Sequence, residues 1–350
     1  MDCVIIRKVI LSTMAVKSNT QDFFVRVSCM TFNQSNYIID ALNGFVMQQT
    51  NFPFVCTVVD DASTDGEQEV IRNYMREYFD LQDSFVAYEK DTDYGHVTFA
   101  QHKTNKNCYF AAIYLKENHY SQKKSKAPYL AEWKNTKYIA LCEGDDYWTD
   151  PLKLQKQVGY LEEHRVCSMC FHKATIIKEI DNPVWLCCDA IEDKDYSATE
   201  LFERWIVPTC SIVYRKDVND FRIKNNNNIL NGDIFLVEKC AHCGVVHGMK
   251  DEMSVYRIQP NGVTYDFSRK QERIIRYPKH YKELKSDFRQ IDKRVINTFI
   301  GRAYFRKSEI MENPLSRYWN IAIGALYCPD LLLDKMCKVR RRILNRIKNR

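Results

Sequence analysis

The sequence predicts an α/β protein with a mostly parallel central sheet flanked by helices, followed by a helical C-terminal extension. Apolar runs of strand length alternate with stretches whose apolar residues recur at helical spacing, which is the pattern of successive strand–helix units. Polar or acidic clusters stand at the ends of three of the strand-like runs, at Thr31-x-Asn33, Asp60-Asp61 and Asp145-Asp146. Ligands of an open parallel sheet bind outside the carboxyl ends of its strands, so these clusters mark the edge where chemistry is expected.

Taken in order, Phe24 to Met30 reads as a buried strand, and Ile38, Ile39, Leu42, Phe45 and Val46 then fall on one face of a helix. Phe54 to Val59 is a second strand, closed by Asp60-Asp61-Ala-Ser-Thr-Asp-Gly66, and Val70, Ile71, Tyr74 and Tyr78 form the next helical stripe. Phe85 to Tyr88 is expected as the third strand. Asp91 to Asn135 reads as an insertion over the sheet, with a helix expected around Tyr109 to Leu115. Tyr138 to Cys142 is the fourth strand and runs into Glu143-Gly-Asp-Asp146, after which Thr149-Asp150-Pro151 opens a helix striped by Leu154, Val158 and Leu161. Further on, Ser197-x-x-Glu200 is a capping-box pattern, Ser211 to Tyr214 a strand, Asn225 to Asn228 an exposed loop, and Gly232 to Cys240 the start of a helix.

Composition narrows the functional classes. With 350 residues, 45% of them hydrophobic and 27% charged, the chain has the makings of an enzyme-sized globular domain. The net charge of +6 is concentrated, because Lys335 to Arg350 holds eight Lys or Arg and no acid, leaving the rest close to −2. Without a basic folded face, nucleic acid is not an expected partner. The 14 cysteines show no disulfide framework, and several sit in strand-like runs as small hydrophobes, so a reducing cytoplasm is expected. Cys167/Cys170 and Cys240/Cys243 have a spacing that a structural zinc site also uses, although both pairs fall in regular strand or helix patterns. No apolar run reaches the roughly 18 to 20 residues of a membrane span, and Met1 to Val16 lacks a small-residue cleavage site, so the chain is read as soluble.

Adjacent carboxylates repel, and a site that keeps Asp145 and Asp146 ionised calls for a cation. Their hard oxygens suit Mg²⁺ or Mn²⁺, which would also neutralise a diphosphate.

Taken jointly and in order, Cys29-Met-Thr-Phe-Asn33, Gln49-Thr50, Val58-Val-Asp-Asp-Ala-Ser-Thr-Asp-Gly66 and Tyr138-Ile-Ala-Leu-Cys-Glu-Gly-Asp-Asp-Tyr-Trp-Thr-Asp-Pro151 resemble the family 2 glycosyltransferases, of the bacterial cell-surface polysaccharide type. The resemblance covers about residues 24 to 265, with a gap from Asp91 to Lys116. It implies a GT-A fold and metal-assisted, inverting transfer of a sugar from a nucleotide-diphosphate sugar to a glycan or lipid-linked acceptor. Carried over by position, it implies that Thr31, Asn33, Asp61, Asp145 and Arg257 serve the donor, that Asp145 and Asp146 serve the metal, and that Tyr147 and Trp148 lie on the acceptor side. Trp148 is equally placed to pack in the core. Asp233, in Asn231-Gly-Asp-Ile-Phe235, matches the general base, against the plainer reading of an acid favoured at a helix N-terminus. Glu143 stands where many relatives carry aspartate, and Gln259 where relatives often carry histidine, a better metal ligand.

The expected organisation is an extension over 1–22, a glycosyltransferase domain over 23–265 with a donor half at 24–150 and an acceptor half at 151–265, and a helical region over 266–350. In the tail, Met336, Val339, Ile343, Leu344 and Ile347 recur at helical spacing among the basic residues, a pattern that suits either peripheral contact with an anionic membrane at the inner face of the cytoplasmic membrane or a solvated charged helix. Two rival readings are a non-catalytic nucleotide-sugar-binding protein of the same fold and a nucleotidyltransferase. The first should have lost Asp145, Asp146 or Asp233, and the second should show a Gly-rich phosphate loop after Met30; neither is the case.

Overall fold

In the computed structural model the described residues are 22–179, 190–223, 228–259 and 270–333. The 1–22 extension (but for Asp22), the basic tail, and residues 225–227 of the expected loop therefore lie outside the described residues.

The centre is a parallel quartet. Strands β1 (Val25–Thr31), β2 (Phe54–Asp60), β5 (Cys108–Leu115) and β6 (Tyr138–Leu141) lie in the order β5-β2-β1-β6. The register pairs Thr31 with Asp60 and Ser28 with Leu141, so the carboxyl ends of β1, β2 and β6 open on one edge. β2 and β5 are buried along their whole length, as strands covered on both faces must be. Helices α1 (Ile38–Val46), α2 (Glu67–Tyr78) and α3 (Lys153–Glu163) follow β1, β2 and β7 (Tyr147–Trp148). Their apolar stripes supply Ile38, Leu42, Phe45, Ile71, Leu154, Val158 and Leu161 to the main core.

The insertion is organised differently from the expectation. Tyr109 to Leu115 is not a helix but most of β5, because an unbroken apolar run without a polar face suits a strand buried on both sides. The strand expected at Phe85 to Tyr88 starts later, as β3 (Tyr88–Asp91), and forms with β4 (Gly95–Gln101) an antiparallel edge on β5.

Beyond β6 the sheet continues through β10 (Val213–Arg215), antiparallel to both β6 and β8 (Cys167–Lys178), and then β11 (Val245–Ile258), parallel to β8. β9 (Lys194–Tyr196) and β7 pair antiparallel with β11. The capping box forms as expected at the start of α4 (Ala198–Glu203): Ser197 accepts from the Glu200 backbone while Glu200 reaches back to the Ser197 backbone. Helices α5 (Gly232–Cys243), α6 (Lys270–Asp287), α7 (Lys293–Glu309) and α8 (Pro314–Tyr327) complete the described chain. No described helix is long and apolar enough to cross a membrane. The C-x-x-C pairs are strand and helix residues, and no described group of three or more His, Cys, Asp or Glu side chains is arranged to hold a metal ion.

Glu238 on α5 is a liability of this packing. It is buried, neither carboxylate oxygen has a hydrogen-bond partner, and burial pushes its carboxyl up to about 8. An acid raised in the folded state holds a proton that the unfolded chain has released, so its stabilisation is complete below the unfolded value and is lost as pH rises towards 8. Glu238→Gln is therefore expected to stabilise the protein at pH 8 by roughly 2 to 4 kcal/mol and hardly at all near pH 4.5. Thermal melts across that range check it.

Candidate functional site

The site grows from the three strand ends. After β6 the chain stays beside β1, with Cys142 N–H donating to Ser28 O and Gly144 N–H to Met30 O, both at 3.2 Å. Gly144 lies so close over β1 that a Cβ there would stand 2.3 Å from Thr31 Oγ1, so the acidic loop reaches the strand end only with glycine at its centre. Thr31 is itself buried and donates to Glu67 or Gln34. Glu67 also accepts from Gln34 N–H at 2.9 Å and Ser63 Oγ at 2.8 Å, which ties the loop after β1 to the loop after β2. Asn33, in the left-handed region at φ 54°, completes the tie by accepting from Thr64 N–H at 2.8 Å.

Asp61 follows directly on β2 and precedes Ala62, whose φ of 62° is rare for a residue with a side chain and is held by the loop around it. The Asp61 carboxylate is buried and accepts from His119 N–H at 2.8 Å, Tyr120 N–H at 3.0 Å and Lys126 Nζ at 3.0 Å. It anchors the 118–126 segment to the end of β2.

Asp145 and Asp146 are positioned from β11. The pairing of β7 with Ser254 and Val255 brings Arg257 alongside, and its backbone N–H donates to Asp146 Oδ1 at 2.8 Å. The Arg257 guanidinium donates to Asp145 O at 2.7 Å and Asp40 Oδ2 at 2.9 Å, and lies 4.6 Å from the Tyr37 ring centre and 5.3 Å from that of Tyr147. Gln259 Nε2 donates to Asp145 Oδ2 at 2.6 Å. Asp146 is 1% exposed and its Oδ2 has no partner. Burial first, then the Asp145 charge, hold the Asp146 carboxyl well above the usual range; burial likewise raises Asp145, against the Gln259 hydrogen bond.

Two further acids add to this acidic setting, one from the same loop and one from α5. Glu143 is pushed up to about 7 by the protein around it and then by the charges of Asp145 and Asp233, although the residue remains exposed. Asp233 sits in the first turn of α5, accepts from Ile234 N–H at 2.8 Å, and is raised by burial while that bond and the Arg273 charge oppose the shift. The fold thus brings Asp233 from the far half of the sequence within electrostatic reach of Glu143.

One expected residue lies elsewhere. The Trp148 side chain is 1% exposed, packs edge-on against Phe45 at 4.9 Å and donates to Cys210 O at 2.9 Å, so it is core packing and not an acceptor-side surface. A two-residue strand alternates its faces, which leaves Tyr147 half-buried beside Arg257 while Trp148 turns inward. Sequence reasoning missed Glu67, Tyr37, Glu179 and Tyr256. Tyr37 donates to Glu179 at 2.6 Å at the rim, and Tyr256 is pushed up by burial and by the charges of Asp146, Glu143 and Asp145. Glu67 offered a weak signal as the acid that opens α2 directly after the polar loop; the others depend on contacts across more than 100 residues.

The residues present fit a divalent cation in one respect. The partnerless Asp146 Oδ2 beside Asp145 offers two protein carboxylates, and Mg²⁺-like ions commonly complete their shells with water and substrate phosphates.

No protein family model matches the chain. Uncharacterized proteins of Mycobacterium bovis and Mycobacterium tuberculosis are 32% identical to it over 243 residues, which is 67% of this chain and 58% of theirs. The chain therefore spans less than two thirds of the length of these relatives. Among solved structures, residues 1–349 of S. aureus TarS in complex with UDP-GlcNAc align with a TM-score of 0.52 at 12% identity, covering 86% of this chain and 79% of that one. A mannosyltransferase from Pyrobaculum calidifontis in complex with GDP-Man and Mn²⁺ aligns more loosely, with a TM-score of 0.45 at 14% identity over 91% of this chain and 84% of that one. At such identities the likeness to TarS is one of fold, and the fold is GT-A, as the sequence resemblance implied.

Proposed function

We propose that the chain is an inverting family 2 glycosyltransferase, moving a sugar from a nucleotide-diphosphate sugar to a hydroxyl of a glycan or lipid-linked acceptor. The observation that carries this is the convergence of Thr31, Asp61, Asp145 and the partnerless Asp146 Oδ2 on one edge of the parallel sheet, with Asp233 within electrostatic reach of Glu143 in the same acidic loop. The donor half is residues 24–150 and the acceptor half 151–265.

Asp145 and Asp146 would hold Mn²⁺ or Mg²⁺, which when bound supplies Lewis-acid stabilisation of the leaving diphosphate. Thr31 and Asn33 shape the nucleoside side, and Asp61 acts there by fixing the 118–126 segment, since its carboxylate already has three donors. Arg257 and Gln259 keep the two aspartates in place. Asp233 takes the proton of the acceptor hydroxyl as that oxygen bonds to the anomeric carbon; the bond from that carbon to the diphosphate oxygen breaks, and its electron pair leaves with the nucleoside diphosphate. Attack opposite the leaving group inverts the anomeric centre. Tyr147 borders the acceptor. The setting we infer is the cytoplasm, at the inner face of its membrane, in cell-envelope polysaccharide synthesis.

Thermal melts with UDP, GDP, CDP and TDP sugars, each with and without Mn²⁺, test the donor site, because a ligand that binds only the folded state raises the midpoint. One nucleotide series is expected to stabilise the protein in Mn²⁺ alone. Absence of any shift across the panel, in folded protein, would count against a donor site.

A further inference from the structure

Helix α8 buries one side and leaves the other uncovered. Its inner side carries Asn320 and Gly324, and Gly324 lies against α7 so closely that a Cβ would stand 3.2 Å from Gly301 O. On its outer side Leu315, Tyr318, Trp319, Ala322 and Leu326 are linked by steps of three and four residues (315/318, 315/319, 318/322, 319/322, 322/326), a single stripe on a helix of 3.6 residues per turn. The four large side chains are 80%, 68%, 68% and 84% exposed. A contiguous exposed stripe containing Trp and Tyr is unlike the scattered apolar residues of an ordinary surface and marks an interaction face.

Charge identifies its partner. α8 contains no Asp or Glu, and its one basic residue, Arg317, stays exposed while its Nε donates to Ser308 O at 3.3 Å. Beyond Asp330 and Asp334 the sequence gathers eight Lys or Arg between Lys335 and Arg350 without a further acid. A second copy would carry a sequence of the same positive charge, which disfavours self-association, whereas an anionic surface is attracted to it. Trp and Tyr, with an apolar body and a polar tip, are the side chains suited to the boundary between water and lipid.

We propose that the outer face of α8 docks on a membrane containing anionic lipid, with the basic sequence after it supplying the electrostatic half of the attachment. The proposal does not depend on the sugar-transfer reading and is tested without any nucleotide.

The full chain is spun down with vesicles of phosphatidylcholine, with and without phosphatidylglycerol, alongside a Trp319→Ser/Leu326→Ser variant. These side chains are exposed, so the variant keeps its fold, which circular dichroism verifies. The wild type is expected to pellet only with phosphatidylglycerol and to be released by salt, and the variant to bind more than about tenfold more weakly, since two large apolar side chains no longer enter the interface. Equal binding by variant and wild type would overturn the proposal in favour of attachment by the tail alone. Failure of the wild type to bind, or a wild-type dimer in sedimentation velocity that the variant dissolves, would overturn it too, the latter by assigning the face to a second copy.

Discussion

Asp233→Asn is expected to leave donor binding unchanged and to lower the transfer rate by about 10²- to 10⁴-fold, the usual contribution of a positioned general base. Asparagine keeps the size of the side chain and an oxygen that accepts from Ile234 N–H, so the first turn of α5 survives. What it cannot do is accept the hydroxyl proton. Burial outweighs the favourable helix N-terminus at this carboxyl, so removing its charge does not destabilise the fold at neutral pH and unfolding cannot mimic the catalytic effect. Steady-state kinetics check the split, with kcat reduced and KM for the donor preserved. In the wild type, burial raises the Asp233 carboxyl, so the acid limb of the rate profile should lie above that of an ordinary aspartate. A base must be deprotonated to act, which makes activity fall as pH is lowered through that limb.

Asp146→Asn is expected to abolish cation-dependent donor binding while making the ligand-free protein more stable at neutral pH. The two effects share a cause. Asparagine still accepts from Arg257 N–H through its oxygen, so the loop keeps its place, but the partnerless Oδ2 becomes an amide that repels a cation. The wild-type carboxylate is buried beside Asp145, and both features raise it well above the usual range. An acid raised in this way stabilises the fold only while it holds its proton, and that contribution is lost as pH rises. Removing the ionisable group removes the loss. Thermal melts of the ligand-free variant, paired with donor titrations, distinguish a ligand to the cation from a residue that merely supports the fold, whose replacement would lower the melting midpoint.

The sequence was most legible where local patterns and physical demands agree. β1, β2 and β6 are visible as apolar runs because strands between parallel neighbours leave little choice of residue, completely so in β2, and their ends are visible as acidic or polar clusters. The capping box at Ser197 and Glu200 was read for the same reason. β5 was misread as a helix because a short apolar run has no period to distinguish the two, and only its place between β2 and β4 decides. Of the proposed site residues, Asp145, Asp146 and Asp233 come from motif and position in the sequence, whereas the direction in which Trp148 points has no such local source. Alternation along β7 sends it into the core, and that follows from the pairing with Ser254 and Val255, more than 100 residues away. The clamp that Arg257 forms with Asp40 and Asp145 likewise spans the sequence and has no local signature.

The most direct measurement is calorimetric titration of the full chain with the nucleotide-diphosphate sugar that the thermal panel selects, in Mn²⁺ and in EDTA, for the wild type and Asp146→Asn. Saturable binding by the wild type in Mn²⁺, lost in EDTA and lost in the variant, is the predicted result. Binding of equal strength in all four conditions would contradict a cation-bridged donor at Asp145 and Asp146.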